Sequence, residues 1–216
     1  MRTLMLVLVY AAVAILTYFL GCFNGAVIVS KYILKNDIRT HGSGNGGLTN
    51  FYRVFGGPLT LAVILCDMLK AVVAVILGVN LLGLVYLDPL LAAYYAALFC
   101  MLGHMYPCMF GFHGGKGILT GGAAAIMISI YSGNPWLSIA VWGGFLVLVL
   151  LTRWVSLGSI YAGIAFPIAT WFCYRNFWCA MLALVCGGLI VWKHRANITR
   201  LLKGQESKFS IHRKEQ

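Results

Sequence analysis

Residues 58–79 read PLTLAVILCDMLKAVVAVILGV, an apolar run interrupted by charge only at Asp67 and Lys70. The apolar residues follow one another without the alternation of a half-buried strand. At roughly 20 residues such a run carries a helix through the hydrocarbon core of a bilayer. Further runs of near-spanning length lie on either side, at 4–29, 88–107, 117–134, 136–152, 156–174 and 177–193. Ser132-Gly133-Asn134-Pro135 and Tyr174-Arg175-Asn176 separate the closest pairs as helix-stopping turns. Composition agrees: of 216 residues 61% are hydrophobic and 10% charged, against about 25% charged in a soluble domain. The pattern predicts an all-α, polytopic integral membrane protein of about seven transmembrane helices, one domain over 1–216. A separate soluble domain is excluded, so chemistry must sit in short loops.

Sixteen Lys and Arg against five acidic residues give a net charge of +11. In a soluble chain that excess would suggest nucleic acid. Here it divides by side, as membrane loops do. Loops 30–57, 108–116 and 153–155 hold Lys31, Lys35, Arg39, Arg53, Lys116 and Arg153, and a basic tail from about 193 runs through Lys193, Arg195, Arg200, Lys203, Lys208, Arg213 and Lys214. The opposite loops hold only Arg2 and Arg175. The expectation is an N-terminus outside and a cytoplasmic C-terminus. Trp136, Trp154, Trp178 and Trp192 fall near span ends, as interfacial belts require. Seven cysteines without a Cys-x-x-Cys pair read as reduced packing residues. The first run is longer than a signal-peptide core, and the residues before Cys22 are too bulky for a lipoprotein cleavage site.

The unusual polar segments fall on the basic side. From Thr40 to Arg53 the chain reads THGSGNGGLTNFYR, where Gly42, Gly44, Gly46 and Gly47 bare backbone N–H groups that can wrap an anion. A flexible connector would explain those glycines, but not the interleaved Asn45, Thr49, Asn50 and Arg53. The spacing of a dinucleotide fingerprint is present by accident, since no βαβ unit surrounds it. Gly103-His104-x-x-Pro107 leads to Gly114-Gly115-Lys116-Gly117 at the start of the next apolar run. Glycines and a lysine at a helix start form a phosphate cradle, although Lys116 alone would also serve as a snorkelling anchor. Phe110 and Gly117 exclude a Walker loop. In the tail, His194 and Asn197 are three apart and share a helix face; a surface-lying amphipathic helix is the other reading. Asp67 and Lys70 form either a functional site or a structural ion pair within the membrane. No metal-ligand spacing, Ser/His/Asp arrangement or His-x-x-x-x-Asp acyltransferase signature occurs.

Taken together, Ser43-Gly44-Asn45 with Thr49-Asn50 and Arg53, Gly103-His104-x-x-Pro107 with Gly114-Gly115-Lys116-Gly117, Arg153-x-x-Ser156-Leu157-Gly158-Ser159, and His194-Arg195-x-Asn197-Ile198 with Glu206 resemble the acyl-phosphate:glycerol-3-phosphate acyltransferases of the bacterial membrane, the PlsY family. The four motifs span nearly the whole chain in family order. The resemblance implies transfer of an acyl group from acyl phosphate to the 1-hydroxyl of sn-glycerol 3-phosphate, giving lysophosphatidic acid and phosphate.

It also implies essential roles for Ser43 and Arg53, glycerol 3-phosphate bound by Gly114, Gly115, Lys116 and Gly117, activity dependent on His194 and Asn197, and a structural Glu206. Asn45 is assigned to the catalytic set; Thr49, Asn50, His104 and Ser156 join the substrate- and phosphate-binding residues. The expected partners are glycerol 3-phosphate, acyl phosphate and membrane lipids, with no metal, cofactor or nucleic acid. The expected place is the bacterial inner membrane, with the active site on its cytoplasmic face. Leu48 and Ala71 stand where the family usually has Ala and Gly. A transporter of a phosphorylated small molecule is the competing reading, but transporter sites lie near the midplane and commonly show repeats.

Overall fold

The structure, a computed structural model, describes residues 2–209. Arg213 and Lys214 of the basic tail lie outside the described residues. The chain forms two compact units, Met1–Gly133 and Asn134–Gln216.

In the first unit, α1 (Arg2–Cys22) stops short of the run expected to continue to residue 29. The cause is Asn24, whose Oδ1 accepts the Val27 N–H at 3.0 Å and starts a new helix, α2 (25–33). Then follow α3 (Leu48–Val54), α4 (Leu59–Gly83), α5 (Pro89–Met105) and α6 (Ile118–Ser132). Helix α1 packs on α4 and α5, and both of those pack on α6.

Small residues permit close approach. A Cβ on Gly103 would stand 2.0 Å from the Tyr18 carbonyl oxygen, so α1 and α5 touch backbone to backbone there. Along α4, Leu61, Leu65, Leu69, Val73 and Ile76 face outward while Asp67, Lys70, Ala71, Ala74 and Gly78 are buried. Apolar residues outside and charge inside is the arrangement a lipid solvent demands. An apolar cluster containing Val27, Ile38, Phe51, Val63 and Phe110 seats the loops that carry the polar motifs.

The second unit contains α7 (Trp136–Thr152), α8 (Val155–Tyr174), α9 (Phe177–Lys193) and α10 (Arg195–Leu202). The expected breaks are present: Gly133, Arg153 and Arg175 adopt left-handed φ of 64°, 62° and 50°, and Asn176 caps α9 through the Cys179 N–H at 3.1 Å. Helices α8 and α9 meet at Gly163 and Gly187, where a Cβ on Gly187 would stand 2.1 Å from the Gly163 oxygen. Helix α10 bends from α9 by 56°.

Among the described residues, four helices are long and apolar enough to cross a membrane, or five if α9 and α10 count as one broken span. Helices α6 and α7 are apolar but shorter. The all-helical, multi-span class expected from the sequence is therefore present, with fewer full-length spans than the seven apolar runs.

Candidate active site

The first polar loop is built around Asn50, on the first turn of α3. Its Oδ1 accepts the Ser43 N–H at 3.0 Å, and its Nδ2 donates to the carbonyls of His41 at 3.0 Å, Asn45 at 3.1 Å and Ile38 at 3.3 Å. Gly42 is required beside it: φ is +58°, and a Cβ would stand 2.4 Å from Asn50 Oδ1. Asn50 is therefore buried and serves the loop's own backbone, whereas Ser43 and Arg53 are exposed and Asn45 and Thr49 half-buried. A buried Asn24 ties the loop's other end, donating to the Gly46 carbonyl at 2.9 Å.

The second loop lies against the first. A Cβ on Gly46 would come within 3.4 Å of the Gly114 carbonyl carbon, and one on Gly47 within 3.8 Å of Gly115 Cα. Gly114 and Gly115 sit on His104, whose carbonyl accepts the Gly115 N–H at 3.1 Å. Gly117 then opens α6 with φ of 84°. Its neighbour Lys116 is half-buried at the positive end of that helix dipole.

Arg39 joins the two loops. It pairs with Asp37 at 2.7 Å and donates to the Phe110 carbonyl at 2.6 Å. Its hydrogen bonds hold the Asp37 carboxyl below the ordinary range.

Beneath the loops lies a buried charge cluster. Lys70 Nζ donates to Asp67 Oδ1 at 2.8 Å and to the Phe23 carbonyl at 2.9 Å, and lies 2.9 Å from His104 Nδ1. Asp67 Oδ1 also accepts the Gly25 N–H at 3.1 Å.

In the second unit, His194 and Asn197 are both buried on one side of the α9–α10 bend. His194 Nδ1 lies 2.8 Å from the Ile190 carbonyl. Its proton is therefore on Nδ1, and in the neutral ring Nε2 carries the basic lone pair. Asn197 Nδ2 and Arg200 Nε each donate to Glu206 at 2.7 Å, and Trp154 Nε1 donates to its backbone carbonyl at 3.2 Å. Burial pushes the Glu206 carboxyl up, but the hydrogen bonds from Asn197 and Arg200 outweigh it and hold the group below its ordinary value. Ser156 is buried on the first turn of α8.

Within the first unit the structure thus gathers the motifs around 43–53 and 103–117, and within the second those around 153–159 and 194–206. Sequence reasoning missed Asn24 and Arg39. The available signals were a lone amide closing an apolar run and the Asp37-x-Arg39 pair on a glycine loop.

The family model described as Glycerol-3-phosphate acyltransferase matches residues 11–204. The chain belongs to the glycerol-3-phosphate acyltransferase family. A glycerol-3-phosphate acyltransferase of Thermoanaerobacter pseudethanolicus is 37% identical over 195 residues, 90% of this chain and 93% of the relative. One from Clostridioides difficile is 37% identical over 199 residues, covering 92% and 95%. Among solved structures, the crystal structure of PlsY, an integral membrane glycerol 3-phosphate acyltransferase, in its glycerol 3-phosphate form is similar with TM-score 0.82 and 32% identity, covering 93% of this chain and 96% of that one. Its lysophosphatidic acid form matches with TM-score 0.77 at 32% identity, covering 93% and 95%. In this acyltransferase the family match runs through the motifs from Ser43 to Asn197, and Glu206 lies just past its end.

Proposed function

We propose that this acyltransferase moves a fatty acyl group from acyl phosphate to the 1-hydroxyl of sn-glycerol 3-phosphate, releasing lysophosphatidic acid and inorganic phosphate. The observation that carries the reading is the packing of Gly46 against Gly114. It places two glycine-rich loops, one bearing Ser43 and the other Lys116, at one spot. Holding two anions within reacting distance requires such an arrangement of amides and cations.

The donor is a mixed anhydride with a good leaving group, so no covalent enzyme intermediate is needed. The glycerol hydroxyl oxygen bonds to the carbonyl carbon, the bond from that carbon to the phosphate oxygen breaks, and phosphate departs with the electron pair. Arg53, Lys116 and the N–H groups of Gly114 and Gly117 neutralise the phosphates, while Gly115, its N–H held by the His104 carbonyl, fixes the loop. Ser43 and Asn45 orient the reacting groups, with Thr49, Asn50, His104 and Ser156 completing the substrate site directly or through the loops they hold. His194 takes the hydroxyl proton on Nε2, and Asn197 belongs with it. A His194→Ala variant with modest rate loss and an unchanged pH–rate profile would instead assign the proton to the donor's phosphate.

We place the chain in the bacterial inner membrane as one acyltransferase domain with seven crossings, α1 and α4 through α9, N-terminus outside and the site at the cytoplasmic face. The division of Lys and Arg between loops supports this. At 15 residues α6 is about 22 Å long, so it crosses where the bilayer thins or flanking residues snorkel. An apolar groove of about 570 Å³, lined by residues that include Gly163, Pro167, Leu184, Gly188 and Val191 and reaching Arg195, is suited to the acyl chain.

The test is phosphate release from acyl phosphate by purified protein in lipid. Release that depends on glycerol 3-phosphate and yields lysophosphatidic acid supports the reading. Uptake of glycerol 3-phosphate into vesicles without acyl transfer replaces it with a transporter. Single cysteines at 43 and 116 that label only from opposite faces would overturn the shared site.

A further inference from the structure

Lysine carries three ammonium protons, and the structure supplies Lys70 with three acceptors: Asp67 Oδ1 at 2.8 Å, the Phe23 carbonyl at 2.9 Å and His104 Nδ1 at 2.9 Å. The third acceptor decides the state of the histidine. A nitrogen that receives an ammonium proton carries a lone pair, so the His104 proton sits on Nε2. The imidazolium alternative would aim an Nδ1–H at the ammonium, with the nearest carboxylate oxygen 3.5 Å away, and would leave a net positive charge where side-chain exposure is 4% or less. Asp67, Lys70 and neutral His104 instead sum to zero, which burial inside a span favours.

The other face of that histidine is the glycine loop. Its carbonyl accepts the Gly115 N–H at 3.1 Å, and a Cβ on Gly115 would stand 2.1 Å from its Nε2.

We propose that Asp67 and Lys70 are positioning residues that fix His104 as the neutral, Nε2-protonated imidazole on which the Gly114–Gly115 phosphate cradle is seated. Asp67 and Lys70 act through His104 and not on the substrate. The cluster sets the height and tilt of the loop, which is why two charges are kept inside a membrane helix. The assignment of the loop to glycerol 3-phosphate rests on the function proposed above; the histidine state does not.

Nitrogen-15 NMR of histidine-labelled protein in nanodiscs, without substrate, reads the state directly, the His104 signal being identified by its loss in His104→Asn. The expected result at neutral pH is the neutral ring protonated on Nε2. An Nδ1-protonated ring or an imidazolium overturns the proposal. For the functional arm, Asp67→Asn combined with Lys70→Met removes both charges together, so that neither is left unpaired. The expected result is a KM for glycerol 3-phosphate raised about tenfold or more, with kcat within about threefold. A purely structural role would lower kcat through the folded fraction and leave KM unchanged, and that result overturns the positioning role. If the double variant does not fold, the NMR result decides alone. Wild-type protein that shows the expected tautomer but releases no phosphate from acyl phosphate would refute the proposed reaction and not the histidine state.

Discussion

Gly114 lies directly over the His104 carbonyl: a Cβ at 114 would stand 2.1 Å from that oxygen and 2.7 Å from Pro107 Cδ. Neither neighbour is the free end of a flexible chain, so a methyl group there must lift the loop. Gly114→Ala is expected to raise KM for glycerol 3-phosphate by about 10- to 100-fold, the scale of one or two lost hydrogen bonds to an anion. Steady-state kinetics with each substrate varied in turn check this, and an unchanged KM for glycerol 3-phosphate would remove Gly114 from its cradle.

Arg53 is exposed on α3 and assigned here to a phosphate. A guanidinium grips phosphate with two parallel N–H groups, which an ammonium cannot reproduce. Arg53→Ala is expected to lower kcat/KM by about 10²- to 10³-fold, and Arg53→Lys to recover only part of that loss. Full activity in the lysine variant would show that charge alone suffices.

The fold was legible wherever one physical requirement dominates. Apolar length marked every long helix, and the breaks at Gly133 and Arg175 were readable because polar, helix-stopping residues interrupt the apolar runs there. The end of α1 was hidden, because Asn24 terminates it by capping the next helix rather than by interrupting hydrophobicity.

The site was legible as types of residue but not as contacts. Asp67 and Lys70 were visible as charges out of place. Their partner His104 is 34 positions beyond Lys70, and only the crossing of α1, α4 and α5 brings it near. Asn50 illustrates the same limit: its motif placed it with the phosphate binders, while its amide is engaged by backbone carbonyls of its own loop.

Glu206 fastens the chain after α10 to Asn197 and Arg200. Because its folded-state pKa lies below the ordinary 4.5, the stability it contributes is fully present above that value and lost as pH falls through the depressed one. Glu206→Ala leaves the Asn197 amide without this acceptor and is expected to lower the melting temperature by about 2–10 °C at pH 7. The gap to wild type should close as pH falls below 4.5, since the wild-type carboxyl is then protonated too. Thermal unfolding in detergent across that range measures both effects. A gap that is constant with pH would mean that the carboxylate charge contributes nothing.

Gly188 offers the sharpest test of where the acyl chain lies. It lines the groove between α8 and α9, and a Cβ built on it meets nothing within 4 Å. A large side chain there fills the groove without displacing protein atoms around its Cβ, and replacing glycine by phenylalanine inside a helix removes a penalty of about 0.5 kcal/mol. Gly188→Phe is therefore expected to fold at least as stably as wild type while discriminating by chain length. With palmitoyl phosphate KM should rise about tenfold or more, because several methylenes lose their apolar surroundings at about 0.8 kcal/mol each. With a short-chain acyl phosphate the variant and wild type should differ little. Equal effects on both donors would place the chain elsewhere along the spans, since a filled groove penalises only the part of a ligand that needs it.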